Sequence, residues 1–88
     1  MLDRRIRIVN PLGLHARAAA KLVRLAAKFD SSVTLAFNDT SANAKSILDV
    51  LALAAGYGKT VEIVVDGPDA EDAMKQIEQL FIDGFGEI

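Results

Sequence analysis

"RRIRIVNPLGLHARAAAKLV", residues Arg4 to Val23, changes its period partway along. The first six residues alternate, with Ile6 and Ile8 on one side and Arg5 and Arg7 on the other, as a half-buried strand requires. Asn10-Pro11-Leu12-Gly13 ends the strand, because proline cannot donate to a ladder and glycine permits a tight turn. From Ala16 to about Lys28 the chain is alanine-rich and straight-chained, which favours helix. Leu22, Val23, Leu25 and Ala26 supply its apolar face, while Lys21, Arg24 and Lys28 project elsewhere.

Outward from this unit the same two periods recur. "SVTLAF" alternates, aligning Val33, Leu35 and Phe37. Asn38-Asp39 reads as a turn, and "TSANA" as a short polar strand. Ser46 heads an apolar helix, "ILDVLALAA", where its hydroxyl can accept from a first-turn N–H, and Gly56 and Gly58 are expected to stop that helix. "TVEIVV" puts Val61, Ile63 and Val65 on one face. After Gly67-Pro68, Asp69 is the expected N-cap of a last helix carrying Ala70, Ala73, Met74, Ile77, Leu80 and Phe81 at helical spacing. The order strand–helix–strand–strand–helix–strand–helix is buried best by an α+β two-layer sandwich, an antiparallel sheet with helices on one face. Arg5, Arg7, Thr34 and Glu62 would line the uncovered face.

At 88 residues, with no linker, repeat or low-complexity tract, the chain reads as one domain, residues 1–88. A chain this short buries only about 60–70% of its unfolded surface. It contains no cysteine, which removes disulfides, thiolate zinc sites and thiol nucleophiles and is in keeping with a cytoplasmic protein. The N-terminal residues do not read as a signal peptide, and no apolar run approaches the roughly 20 residues of a membrane helix. The net charge of −2 makes the chain no general attractor of nucleic acid. "GYGKT" looks like the end of a phosphate-binding loop, but position 53 is Leu53 where that motif needs glycine. It also leads from helix to strand, so the wrong helix end would face a phosphate.

His15 is the only histidine, placed where turn meets helix. There the first backbone N–H groups lack internal partners and the dipole end is positive, which suits a bound anion. Arg17 adds a permanent cation with a planar donor fork. The same field disfavours the imidazolium, leaving a ring nitrogen with a free lone pair, a nucleophile needing no separate base. A polar boundary residue with no chemistry is the plainer reading. No second histidine or cysteine exists to complete a metal site, and no spacing supports a Ser-His-Asp arrangement. A domain that merely binds a metabolite or a partner's carboxylate at this helix end is the alternative to phosphoryl chemistry.

Two segments narrow the choice. "LGLHARAAAKLV" resembles the active-site signature of the HPr family, the histidine-containing phosphocarriers of the bacterial phosphoenolpyruvate-dependent phosphotransferase system. "NAKSILDVLALAAGYGKTVEI" resembles the same family's serine-site signature, at family-like separation, and the resemblance covers essentially the whole chain. It implies strand order 1-4-2-3 with three helices on one side. It implies that His15 accepts a phosphoryl group on Nδ1 from enzyme I and passes it to an enzyme IIA-type protein, with Arg17 steadying the group. No metal and no cofactor are called for, and the protein is a relay rather than an enzyme. Ser46 matches the family's regulatory site for a dedicated kinase, the HPr kinase/phosphorylase.

The sequence also departs from the family pattern. Ala18 stands where proline is frequent, Leu12 where many members have a polar residue, and Asp49 where a neutral or basic residue is common. The first two bring the chain near proteobacterial HPr or its nitrogen-related paralogue NPr. For docking, an apolar patch of Leu14, Ile47, Leu48 and Leu51 ringed by Lys21, Arg24, Lys28 and Lys45 would give register and encounter rate. The expected state is a monomer that binds neither nucleic acid nor membrane.

Overall fold

The computed structural model describes residues 1–88. The elements are β1 (Leu2–Arg7), α1 (Ala16–Ala26), β2 (Ser32–Phe37), β3 (Thr40–Asn43), α2 (Ile47–Ala52), β4 (Thr60–Asp66) and α3 (Ala70–Ile82), followed by a short turn over Gly84–Gly86. This is the order the alternating periods predict. The four strands form one antiparallel sheet ordered β1-β4-β2-β3. The β2–β3 hairpin closes through Asn38 and Asp39, both with positive φ (55° and 64°), the handedness a two-residue hairpin needs.

Strand alternation sorts the sheet into two faces. Val33, Leu35, Val61, Ile63 and Val65 are buried together with Leu22, Val50, Met74, Ile77 and Phe81 from the helices, in one core. Burying a side chain such as Leu22 stabilises the fold by about 2 kcal/mol. The opposite face is uncovered: Arg5 and Arg7 are exposed, Thr34 and Glu62 half-buried, and Arg5 sits across from Glu62. No helix is long and apolar enough to cross a membrane.

Two boundaries differ from the sequence reading. Helix α1 stops at Ala26, and its fully buried stripe is Ala18, Ala19, Leu22 and Ala26 rather than one carrying Val23 and Leu25, which are half-buried. Small side chains let this helix lie close to α2 and α3, so the larger ones are pushed to its flanks. Helix α2 ends at Ala52, before Gly56 and Gly58, because Ala54 already adopts a left-handed conformation (φ 53°). That early stop frees the Ala55 carbonyl to accept from Leu14 N–H at 3.0 Å, and "GYGKT" becomes the turn into β4.

Asp69 precedes α3 as expected, yet it forms no side-chain cap. Its carboxylate instead accepts from Asp30 N–H and Ser31 N–H, both at 2.9 Å, and from the Ser31 hydroxyl. It thereby ties the loop after α1 to the start of α3. The Ser31 hydroxyl, then the Asp30 amide, hold the Asp69 carboxyl below its ordinary pKa of 3.8.

Gly13 is the tightest point of the fold. Its φ is +67°, and a Cβ there would lie 2.7 Å from Gly56 Cα and 2.8 Å from the Ala55 carbonyl oxygen. Gly13→Ala therefore meets both left-handed strain and a backbone collision. It should cost at least about 1–2 kcal/mol in urea denaturation. For Asp69, a lowered folded-state pKa means its contribution is complete above the ordinary carboxylate range and is lost as pH falls through the folded value. Asp69→Asn should lower Tm at neutral pH and flatten the acid side of the Tm–pH curve. An unchanged acid limb would show that the Ser31 contacts are not responsible.

Candidate functional site

The site is built from the turn before α1, the first turn of α1 and the segment after α3. His15 occupies the N-cap position with extended backbone (φ −75°, ψ −177°), and its carbonyl accepts the first helical bond from Ala19 N–H at 2.8 Å. Its side chain does not cap the helix. The amides of Ala16, Arg17 and Ala18 are thus the orphan donors of the helix start, at the positive dipole end. Ala18 lies at the third helical position, whose N–H has no partner inside a helix. Proline would be tolerated there, and alanine keeps a donor that proline would lack.

Asn10 organises the turn. It is fully buried, its Nδ2 donates to the Gly13 carbonyl at 2.8 Å, and Gly13 N–H donates back to the Asn10 carbonyl at 3.1 Å. The same Nδ2 donates to Glu87 Oε1 at 3.0 Å, while Asn10 Oδ1 is buried without a partner. The other oxygen of Glu87 accepts from His15 Nε2 at 2.7 Å. The Asn10 amide, helped by the His15 contact, holds the Glu87 carboxyl below its ordinary pKa. Glu87 is therefore a carboxylate near neutral pH, able only to accept, and Nε2 carries the ring hydrogen. Nδ1 is left as the ring atom that Glu87 does not engage.

An open cleft is lined by His15, Ala16, Arg17, Lys21, Gly86 and Glu87. Arg17 is exposed and takes part in none of the three ion pairs of the structure. Lys21 leans across the cleft, and its Nζ donates to the Phe85 carbonyl at 2.6 Å. The cleft thus combines an imidazole, a free guanidinium and a helix N-terminus, an arrangement suited to a tetrahedral anion held against a nucleophilic nitrogen.

The docking residues expected from sequence divide. Leu48 is 76% exposed and Ile47 39%, while Leu51 is half-buried against the core. Leu14 is only 4% exposed, so it belongs to the core and offers no docking surface: its N–H bond to Ala55 draws it inward. Leu12 (70%) and Tyr57 (59%), each one residue from the Gly13–Gly56 contact, are exposed apolar groups that the sequence reading did not place in the docking patch. Arg24 and Lys28 are exposed. Lys45, like Lys21, is tied to a carbonyl, with its Nζ on Phe29 O at 2.7 Å. Ser46 caps α2, its hydroxyl accepting from Asp49 N–H at 3.4 Å, and the Asp49 carboxylate takes Asn43 N–H. Glu87 and Asn10 were not singled out. Asn10 read as a plain turn residue, and nothing periodic links Glu87 to a histidine 72 positions earlier.

This open-faced sandwich, with a lone histidine at the start of its first helix, defines a class of small carrier domain, and the comparisons with known proteins place the chain within it. The family model described as "PTS HPr component phosphorylation site" matches residues 2–83. Phosphocarrier protein HPr of Cupriavidus necator is 49% identical over 87 residues, covering 99% of this chain and 98% of that one. Phosphocarrier protein NPr of Shewanella violacea is 45% identical over 76 residues, 86% of this chain and 84% of that one. Among solved structures, HPr-C-His from Thermoanaerobacter tengcongensis superposes with a TM-score of 0.96 at 38% identity, covering 100% of this chain and 99% of that one. The chain belongs to the HPr family, the phosphocarriers of the phosphotransferase system. It is a carrier rather than an enzyme, and its partners are proteins of that system.

Proposed function

We propose that residues 1–88 act as one cytoplasmic, monomeric domain in which His15 Nδ1 accepts the phosphoryl group from phosphorylated enzyme I and yields it to an enzyme IIA-type protein. The observation that carries this is the division of labour on one ring: Nε2 is occupied by Glu87 at 2.7 Å, and the ring sits at the α1 N-terminus beside the free Arg17. The reaction is an in-line displacement at phosphorus, so catalysis rests on positioning and charge. Arg17 and the orphan amides of α1 meet the phosphoryl oxygens, and no metal or cofactor is required.

Ile47 and Leu48 form the apolar docking patch, with Arg24 and Lys28 as the exposed part of its charged rim. Lys21 and Lys45 contribute charge from fixed positions. Leu51 supports the patch from below. Ser46 is the regulatory position: it is half-exposed, next in chain to Ile47, and a phosphate there would set negative charge against the patch. An HPr kinase/phosphorylase would be the partner acting on it.

With phosphoenolpyruvate and cognate enzyme I, the wild type should acquire an acid-labile phosphoryl group that is absent from His15→Ala. A wild type that stays unlabelled beside a competent enzyme I overturns the assignment. Arg17→Ala should slow transfer by about 10²-fold, on the scale of losing one oriented charge donor. Leu48→Asp should change stability by no more than about 0.5 kcal/mol, as expected for an exposed position. It should raise the KM for enzyme I by roughly tenfold, the effect of a mid-sized interface contact.

A further inference from the structure

We propose that Glu87 is a positioning residue and counter-ion for His15, and that the left-handed turn after α3 serves to deliver it. This deepens the preceding proposal and rests on His15 being the phosphoryl acceptor. Its starting point is the backbone. Gly84, Phe85 and Gly86 have φ of +60°, +56° and +74° in succession. Such a conformation strains a phenylalanine. Two contacts hold it there: the Phe85 ring is 1% exposed and edge-on to Phe81 at 4.8 Å, and its carbonyl is clamped by Lys21. The reversed chain then lays the Glu87 side chain, 13% exposed, between the buried Asn10 and His15. A strained backbone that over-determined packing retains beside a reactive group is where a functional role is to be sought.

The chemistry of the contact follows from the hydrogen count. A carboxylate cannot donate, so Glu87 fixes the hydrogen on Nε2 and keeps the lone pair on Nδ1. In the transfer, that pair forms the bond to phosphorus. The phosphorus–nitrogen bond of the donor phosphohistidine breaks, its electron pair returns to the donor ring, and no proton moves. His15 then holds a phosphoryl group on Nδ1 and a hydrogen on Nε2, so its ring has gained a positive charge. The charged groups facing it are Arg17 and Lys21 from α1 and Glu87 from the segment after α3. Arg17 is directed to the phosphoryl group, Lys21 is held by Phe85, and Glu87 alone matches the ring. The Nε2–Glu87 bond is thus stronger after transfer than before, which biases the equilibrium toward the phosphorylated carrier.

Glu87→Gln separates this from a purely structural tie. Its amide oxygen remains an acceptor for Asn10, so its NH2 turns to the ring and favours hydrogen on Nδ1, the reverse tautomer. Ring nitrogen NMR of the neutral imidazole should show Nε2–H dominant in the wild type, the reverse enriched in Glu87→Gln, and a free-imidazole mixture in Glu87→Ala. With enzyme I, phosphoenolpyruvate and pyruvate at equilibrium, the phosphorylation constant of Glu87→Gln should fall roughly fivefold, the difference between a charge-assisted and a neutral bond. A labelled wild type whose tautomer and phosphorylation constant are matched by both variants overturns the role of Glu87 alone. An unlabelled wild type overturns the His15 assignment and the counter-ion role together.

Discussion

One buried amide joins the parts of this molecule that matter for its chemistry. Asn10 Nδ2 bridges the Gly13 carbonyl in the turn before α1 and the Glu87 carboxylate beyond α3, segments far apart in the chain. A polar side chain excluded from water must find partners, and unmade bonds of this kind are expensive. The turn and the final segment are therefore not independent: each supplies an acceptor for Asn10 Nδ2. Because His15 follows the turn by two residues and meets Glu87 directly, the same amide fixes both the place of the imidazole and the group behind it.

The helices reinforce this from below. The alanines of α1 bring its axis close to α2 and α3, and Gly13 presses against Ala55–Gly56 in the turn before it. The start of α1 is thus clamped between the end of α2 and the segment after α3. It has little freedom to move the reactive ring, while Arg17 stays exposed and unpaired. Rigid placement of the nucleophile with a free guanidinium beside it suits a site that receives its substrate already attached to another protein.

The fold was legible because it is written in local periods. Alternation in β1, β2 and β4 and the 3.6-residue stripe of α3 need no distant information. The placement of His15 and Arg17 at a helix start was legible for a similar reason, since the turn and the alanine-rich run that follow each other there are local signals. What escaped was decided by long-range packing. Leu14 looks like a surface leucine beside a histidine until Ala55 draws its backbone inward. Asp69 has the right residue type and place for a cap, yet Ser31 and the amides beside it compete for its oxygens and win. Helix α2 loses its expected last turn because Ala54 turns left-handed ahead of either glycine. Glu87 could not be seen at all, for its neighbours Gly84, Phe85 and Gly86 reveal their handedness only in three dimensions.

The uncovered face of the sheet has a practical meaning. Asp3, Arg5, Thr34 and Glu62 point away from all three helices, whereas His15, Ile47 and Leu48 belong to the helical layer. In the proposed docking mode that surface stays free, which makes it a place to hold the protein by. A fluorophore or surface linker at Thr34 would leave the imidazole free to meet its donor and acceptor in turn. It would make the exchange between them observable on a carrier that never leaves the support.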